Sequence, residues 1–218
     1  MKRFCVIGAG SFGFHVASNL YQDGHEVMAI DNNRTHVQQL QEHCSFAILA
    51  DAADRDFLEA QGVAEMDAVI VAIGERSHAA TLTTLFLKEL GVKRILVKAI
   101  NEDHGRILLK VGATEIINPE KDMAFRIACN LASPNILDML SMTGDYTLNE
   151  LAPPKSFIGK SLLELALRKK YDVFVLGVKD VLTDKFILLP PPERLIRDSD
   201  LLLIFGQKEG IQRAIKQS

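Results

Sequence analysis

The sequence predicts an α/β fold, with a doubly wound parallel sheet in the first half and a small α+β lobe in the second. Between residues 4 and 117, short apolar runs alternate with segments of helical period, as in successive βαβ units. A glycine-rich turn, Gly8-Ala9-Gly10-Ser11-Phe12-Gly13, follows the first run and opens the first helical segment. Beyond Gly144 the character changes, and strand-like runs are separated by paired and triple prolines.

Six runs in the first half are predicted to be parallel strands. Each is short, β-branched, mostly continuous and followed by small or acidic residues, as expected of a strand buried on both faces. Helical spacing appears between them, for example at Phe12, Val16 and Leu20, and Gly91 marks a helix end. The predicted strands cover residues 4–7, 26–30, 46–49, 68–73, 94–97 and 115–117. This pattern assigns residues 1–118 to the first lobe.

Residues 119–143 are predicted to form a crossover helix–turn–helix. Asn118 fits a helix N-cap, with Pro119 at the first helical position and Glu120 in the first turn. Ser133-Pro134 then interrupts the pattern, and an apolar helical face resumes from Ile136. Two interpretations are open: a connection that contacts a partner subunit, or an ordinary bent helix on its own core.

Residues 144–218 are predicted to form the second lobe, with four strands and two helices. The strands cover residues 147–151, 173–178, 186–188 and 201–205, and the helices cover 161–167 and 208–216. Ser161 and Glu164 have the spacing of a capping box at the first helix. A lobe of this size supports only a marginal core, which favours dimerisation through an apolar face.

Composition excludes several classes of protein. The 218 residues carry a net charge of −3, which is unlike a general nucleic-acid binder. No apolar run reaches the ~18–20 residues of a membrane span, and the N-terminus lacks a signal sequence, so we expect a soluble cytoplasmic protein. Cys5, Cys44 and Cys129 are far apart and are predicted to be reduced core residues. His36 and His43 are predicted to lie on a solvated helix face rather than in a metal site.

The glycine-rich turn is the strongest functional motif. In a Rossmann-like unit, Gly8 allows the tight turn, Gly10 lets the backbone approach a pyrophosphate, and Gly13 permits close helix–strand packing. Ser11 and Phe12 would begin the helix, whose N-terminal N–H groups favour phosphate. An acid, 18 residues after Gly13, ends the second predicted strand. Strand, glycines, helix and acid together predict a nucleotide site.

That acid, Asp31, also restricts the nucleotide. A carboxylate beside the ribose accepts hydrogen bonds from its hydroxyls and repels a 2′-phosphate, which disfavours NADP and leaves NAD, ATP, ADP and AMP. Further contacts are expected at the ends of the strands, where ligands bind in such sheets. These candidates are Asn32, Asn33, Asp51, Ala52, Ala72, Ile73, Gly74, Glu75 and Lys98, with Arg94 a weaker one.

Two charged candidates have structural alternatives. Lys98 would meet a phosphate or else pair with a neighbouring acid. Glu120 would help to hold Mg²⁺ or Ca²⁺, or else complement the dipole of the helix that it begins.

Catalytic groups are missing from the sequence pattern. The second half has no histidine, and Tyr146 and Tyr171 lack the lysine spacing of a dehydrogenase. Neither a nucleophile elbow nor a Walker lysine is present. We therefore expect a nucleotide that is sensed and not consumed. The alternatives are a small NAD-dependent oxidoreductase and, less in keeping with the acidic charge, a redox-sensing repressor.

Longer segments carry a family resemblance. CVIGAGSFGFHVASNL, EVMAIDNN, LADAADRDFL, DAVIVAIGE, TLTTLFLKELGVKRILVKAIN and GATEIINPEKDMAFRIA resemble the regulator-of-potassium-conductance (RCK, or TrkA-N) domain. GKSLLEL and DLLLIFG resemble the TrkA-C lobe that follows it. Together they cover nearly the whole chain, as in KtrA-type cytoplasmic subunits of potassium uptake systems.

The resemblance implies a regulatory subunit without enzymatic activity. Such subunits form dimers and octameric rings on the inner face of the membrane, bound to a KtrB- or TrkH-like potassium translocator. ATP and ADP would compete for the glycine-motif site. Asp31 would hold the ribose, Asp51 and Ala52 the adenine side, and Lys98 and Glu120 the phosphate or a divalent cation.

The resemblance also bears on the rest of the chain. The helices from Pro119 to Leu140 would exchange lobes between dimer partners, and the second lobe would bind cyclic di-AMP, with Arg168 and Pro190 as loose candidates. Family members often carry arginine where this chain has Ser11. NAD or NADH therefore stays open as the ligand, or Arg76 supplies the missing cation.

Overall fold

The computed structural model describes residues 1–74, 77–132, 135–142 and 144–216. The chain forms two compact units, Met1–Glu120 and Lys121–Ser218. No helix in the described ranges has the length and apolar character needed to cross a membrane.

The first unit contains the predicted parallel sheet. Its strands are β1 (Arg3–Ile7), β2 (Glu26–Asp31), β3 (Phe46–Leu49), β4 (Ala68–Val71), β5 (Ile95–Lys98) and β6 (Glu115–Ile117). The strand order is β3-β2-β1-β4-β5-β6, and every neighbouring pair is parallel. The direction of winding therefore reverses between β1 and β4, where sheets of this kind bind ligands. The Rossmann-like prediction is confirmed.

Helices cover both faces of this sheet. They are α1 (Ser11–Gln22), α2 (Arg34–Leu40), α3 (Arg55–Ala60), α4 (Ser77–Glu89) and α5 (Glu102–Val111), with a 3₁₀ turn at Val63–Glu65. Cys5 and Ile7 of β1 lie in one apolar cluster, and Val6 lies in another. Since successive side chains point to opposite faces, both faces are buried, which explains the continuous apolar runs.

The cysteines follow the prediction. Cys5 and Cys44 are buried, and Cys129 is half-buried against the core of the second unit. Burial raises the pKa of the Cys5 thiol to about 12, so this group stays protonated and unreactive at neutral pH.

The second unit has an antiparallel sheet. Its strands are β7 (Ile136–Ser141), β8 (Tyr146–Leu151), β9 (Phe174–Asp180), β10 (Lys185–Leu188) and β11 (Asp200–Gln207), in the order β10-β9-β11-β8-β7. The helices are α6 (Pro119–Ala132), which begins at the predicted proline, α7 (Leu162–Leu165), α8 (Leu167–Tyr171) and α9 (Lys208–Lys216). The single helix predicted over 161–167 is divided at Ala166, whose φ is +48°.

The second half of the predicted helix–turn–helix is wrong. Ile136–Ser141 forms β7, which pairs antiparallel with β8 and places Ile136 opposite Leu151 and Leu140 opposite Leu148. The sheet of the second unit therefore includes residues assigned to the crossover. The predicted break at Ser133-Pro134 lies outside the described residues.

Candidate functional site

The glycine turn joins β1 to α1 with almost no free space on its inner side. Gly8 has a φ of +94°, and a Cβ there would lie 2.8 Å from the carbonyl carbon of Ala72. A Cβ on Gly13 would lie 1.8 Å from the carbonyl oxygen of Gly8. Both positions therefore require glycine, the first for its conformation and the second for the contact between helix and turn.

The outer side of the turn is open. Gly10 has a φ of −63°, and a Cβ there would meet nothing within 4 Å. Gly10 is also the N-cap of the twelve-residue α1 and supplies no side chain to its first turn. The N–H groups at this helix start are thus presented beside open space, an arrangement that suits an anion.

Asp31, at the end of β2, is tied into the turn. Its Oδ2 accepts a hydrogen bond from the Ala9 N–H at 2.6 Å, and its Oδ1 accepts one from the Asn33 N–H at 2.7 Å. The side chain is only 10% exposed. The carboxylate is therefore held in a fixed orientation, which pre-organises it as an acceptor.

A pocket of about 380 Å³ lies over the carboxyl ends of β1, β2 and β4. It brings together many of the sequence-predicted residues: Gly8, Gly10, Asp31, Asn32, Asn33, Asp51, Ala52, Ala72, Ile73 and Gly74. It is also lined by residues that the sequence analysis did not select: Ile7, Ile30, His36, Ala50 and Ala79. Ile7, Ile30 and Ala50 come from the same strand ends and could have been found from that position alone, whereas Ala79 lies on α4.

Four predicted residues lie elsewhere. Ser11 lines a second pocket, of about 410 Å³, which shares Gly10 and His36 with the first. Phe12 packs against an apolar cluster of the first unit, and Gly13 backs the turn. Lys98 ends β5 and does not line either pocket. Glu75 and Arg76 lie outside the described residues.

Lys98 and Glu120 contact each other. The Lys98 ammonium, whose side chain is 14% exposed, forms an ion pair with the Glu120 carboxylate, which is 67% exposed. The hydrogen bond from Lys98 is the main cause that lowers the pKa of Glu120 below its ordinary value. The weaker candidate, Arg94, pairs in the same way with Glu115 at 2.7 Å. The described residues contain no group of three or more His, Cys, Asp or Glu side chains arranged around a metal position.

His36 does not lie on a solvated helix face. It is half-buried on α2, with its Nδ1 3.3 Å from Oδ2 of Asp31, and it lines both pockets. The predicted shared face with His43 is wrong because α2 ends at Leu40. The position of His36 near Asp31 could have been predicted from the sequence. A helix that starts three residues after Asp31 has its first turn close to that carboxylate.

A buried threonine on α4 braces the pocket. The Thr83 hydroxyl donates a hydrogen bond to the carbonyl oxygen of Ala52 at 3.1 Å, and Thr83 is fully buried. Ala52 belongs to the loop after β3 that forms one wall of the pocket. No local sequence pattern indicates this contact, because it joins residues 31 positions apart.

The candidates in the second unit are in separate elements. Arg168 lies on α8, with its guanidinium 5.0 Å from the centre of the Phe174 ring. Pro190 is half-buried and follows β10.

Comparison with known proteins agrees with the fold. The TrkA-N domain matches residues 4–119, and the TrkA-C domain matches residues 150–217. Ktr system potassium uptake protein A of Bacillus subtilis (strain 168) is 40% identical over 212 residues, which are 97% of this chain and 95% of that protein. The protein of the same name from Vibrio alginolyticus is 33% identical and covers 99% of this chain and 97% of its own length.

A solved structure shares the fold at lower identity. The GsuK channel bound to NAD superimposes with a TM-score of 0.68 at 18% identity, covering 99% of this chain and 39% of that one. The full-length match to the Bacillus protein and the two matching domains establish the family. This chain belongs to the Ktr family of potassium uptake proteins, built from a TrkA-N and a TrkA-C domain.

Proposed function

We propose that this chain is a nucleotide-sensing regulatory subunit of a potassium uptake system. The observation that carries the proposal is the pocket in which an uncapped helix start and the fixed carboxylate of Asp31 meet, in a member of the Ktr family. The ligand is an adenine nucleotide that the protein binds without consuming. ATP and ADP are the leading candidates, with NAD and NADH as alternatives.

The pocket suggests how the ligand lies. The phosphates face the N–H groups at the start of α1, and the ribose hydroxyls face Asp31. The adenine then lies toward Asp51 and Ala52, which line the same pocket. A volume of about 380 Å³ is within the usual range of small-ligand sites. Solved structures of GsuK bound to NAD and to ADP support this ligand class.

We assign the Lys98–Glu120 pair to the side of the terminal phosphates. A Mg²⁺ or Ca²⁺ ion at Glu120 has to compete with the Lys98 ammonium that already neutralises this carboxylate. Mg²⁺ is commonly bound by one or two carboxylates together with phosphate oxygens. The cation is therefore expected to bind with the nucleotide and not before it.

Regulation requires a difference between nucleotides. ATP and ADP bind the same pocket, so they shift a conformational equilibrium only if their affinities for its two states differ. We assign that equilibrium to a homo-oligomer, from dimer to octameric ring, on the inner face of the membrane and attached to a KtrB- or TrkH-like translocator. Binding of cyclic di-AMP to the second unit stays a separate prediction.

Calorimetry of the Asp31→Ala variant tests the nucleotide site. The purified wild type and variant are titrated with ATP, ADP and NADH, with and without Mg²⁺, and their masses are measured by light scattering. We expect the variant to lose detectable binding while its oligomeric mass is unchanged. Asp56→Ala is the matched control, because the Asp56 side chain is 96% exposed on α3 and away from the pocket. A variant that binds ATP as tightly as the wild type would disprove the ribose assignment.

Two further assays separate the regulatory function from catalysis. If the chain is a regulatory subunit, its nucleotides change potassium flux through the membrane subunit that it joins. If it is instead an NAD-dependent oxidoreductase, NADH is consumed in the presence of some member of a panel of small acids and alcohols. Turnover of NADH would replace the regulatory proposal.

A further inference from the structure

His36 contacts the carboxylate that is assigned to the ribose. Its Nδ1 lies 3.3 Å from Asp31 Oδ2, and its ring forms part of the wall between the two pockets beside the glycine turn. An ionised carboxylate is only an acceptor, so this contact is a hydrogen bond when Nδ1 carries a proton. This contact differs from the solvated helix face that the sequence pattern predicts for His36.

The two carboxylate oxygens of Asp31 differ in how many hydrogen-bond acceptor positions they keep free for a ligand. Each carboxylate oxygen has about two acceptor positions. Oδ1 accepts from the Asn33 N–H and keeps one position free. Oδ2 accepts from the Ala9 N–H and faces His36 as well, so both of its positions are taken when Nδ1 of His36 carries a proton. A ribose that presents two neighbouring hydroxyls needs one free position on each oxygen.

We propose that His36 is a specificity-determining residue of the ribose site, which competes with the ribose hydroxyls for Oδ2 of Asp31 and weakens nucleotide binding when its ring is protonated. This inference rests on the proposed nucleotide site. A nucleotide that engages both carboxylate oxygens has to displace the imidazole. Displacing a neutral imidazole breaks a hydrogen bond to the carboxylate, whereas displacing an imidazolium also separates two opposite charges and therefore costs more.

The charges around His36 favour this competition. An imidazole changes its charge between pH 5 and 8, and Asp31 and Asp51 are the carboxylates that line the first pocket with it. In the second pocket it is accompanied by His43, and the other lining residues there are uncharged. On its own helix, Arg34 is the one other charged residue. Of the charged groups in the described part of the chain, Asp31 is the one in hydrogen-bond contact with His36, so protonation of His36 acts mainly on the ribose carboxylate.

Calorimetric titration with ADP between pH 8 and pH 6 tests the proposal. The proteins are the full-length wild type, His36→Ala, His36→Gln and the control His43→Ala. His36→Ala removes the competitor, and His36→Gln keeps a neutral donor that does not titrate. His43 lines the second pocket without a contact to Asp31, so its variant controls for the loss of a nearby histidine. Protonation of ADP itself is common to all four, so the ratio of affinities isolates His36.

We expect the ratio of the His36→Ala affinity to the wild-type affinity to rise about tenfold from pH 8 to pH 6, which corresponds to about 1.4 kcal/mol for the added attraction between imidazolium and carboxylate. His36→Gln should show the same rise, and His43→Ala should follow the wild type. Equal pH dependence in all four proteins would overturn the inference and leave the proposed nucleotide site intact. Weaker ADP binding by His36→Ala than by the wild type at pH 6 would do the same. Absence of ADP binding by the wild type at every pH would overturn the proposed function and this inference with it.

Discussion

Gly10 and Gly13 lie three residues apart and differ in what a methyl group would meet. A Cβ on Gly13 would overlap the carbonyl oxygen of Gly8 at 1.8 Å, whereas a Cβ on Gly10 would point into open space. The first contact is with backbone and cannot be relieved by a side-chain rotation. One glycine is therefore required by the fold, and the other is available to the ligand.

Substitution by alanine should separate these two roles. We expect Gly13→Ala to lower the free energy of unfolding by roughly 3 kcal/mol, the upper end of the cost of overpacking. Gly10→Ala should stay within about 0.5 kcal/mol of the wild type, since its backbone conformation is open to any residue, yet bind nucleotide more weakly. Urea denaturation and calorimetry measure the two effects. An equally stable Gly13→Ala protein would show that the turn moves away from α1.

Glu120 provides a second matched pair, with Glu115. Both are exposed acids in ion pairs with a basic residue, Lys98 and Arg94 respectively, but only Glu120 is assigned to the nucleotide. We expect Glu120→Gln to remove the effect of Mg²⁺ on ATP binding and Glu115→Gln to leave it unchanged. Calorimetry with and without Mg²⁺ measures both. An unchanged effect of Mg²⁺ on ATP binding in Glu120→Gln would show that Glu120 acts only as an acid at the start of α6.

Acidic pH should weaken the ion pair between Glu120 and Lys98. Its hydrogen bond with Lys98 lowers the pKa of Glu120 in the folded protein, so its contribution to stability is present above the ordinary carboxyl pKa. That contribution is lost as the pH falls through the lowered value. Because the carboxylate is largely exposed, we expect the contribution to be no more than about 1 kcal/mol.

Individual residues of the pocket were predicted correctly where they lie close together in the sequence. The glycines and Asp31 lie within one βαβ unit, so their spacing predicts their proximity. His36 was misassigned because the pattern of α2 was taken to extend to His43, and helix ends are weakly specified. The hydrogen bond from Thr83 to Ala52 joins α4 to the loop after β3, and only the folded chain brings them together.

At the scale of elements, β7 shows how a partner strand overrides local pattern. The apolar residues Ile136, Leu137 and Leu140 fit a helical face, and the same residues fit a strand. Pairing with β8 decides between them, because it pairs most of the segment with a neighbouring strand, with one register shift between Ile136 and Asp138. The six strands of the first unit were predicted well because a parallel strand buried on both faces has a distinctive continuous pattern.

The start of α7 is fixed by the predicted capping box. The Glu164 N–H donates to the Ser161 hydroxyl at 3.2 Å, and the Ser161 N–H donates to the Glu164 carboxylate at 2.7 Å. Ser161 is buried, whereas Glu164 is exposed. The bond from the Ser161 N–H contributes most to lowering the pKa of the Glu164 carboxylate, and a bond that the Ser161 hydroxyl donates to the same oxygen at 2.9 Å adds to it.

Removing the cap should cost stability at neutral pH more than in acid. We expect Ser161→Ala to lower the free energy of unfolding by about 1 kcal/mol at pH 7. The variant keeps the Ser161 N–H bond to the Glu164 carboxylate and loses the bond from the hydroxyl at 2.9 Å. The difference should therefore shrink as the pH falls through the lowered pKa of Glu164, because protonation of Glu164 weakens that hydroxyl bond in the wild type. Ser156→Ala is the control, since the Ser156 hydroxyl has no hydrogen-bond partner in the described structure. A constant difference from pH 7 to acid would exclude Glu164 from the effect.

At the scale of the whole molecule, the chain divides into two units, each with its own apolar core. Clusters in the first unit draw on the parallel sheet and α1–α5, and the cluster in the second draws on β7–β9, β11 and the helices after residue 120. Every residue of the proposed nucleotide pocket belongs to the first unit. The direct energetic effect of the ligand is therefore confined to that unit.

Hydrogen exchange in the presence of ADP should reveal this division. A ligand at 100 times its dissociation constant stabilises the state that binds it by about 2.7 kcal/mol, which slows exchange through unfolding about a hundredfold. We expect that slowing for the most protected amides of β1, β2 and β4, measured by mass spectrometry of peptides. Amides of β8, β9 and β11, which lie in the second unit, should change far less. Equal slowing in both units would mean that they unfold together, so that nucleotide binding in the first is transmitted directly to the stability of the second.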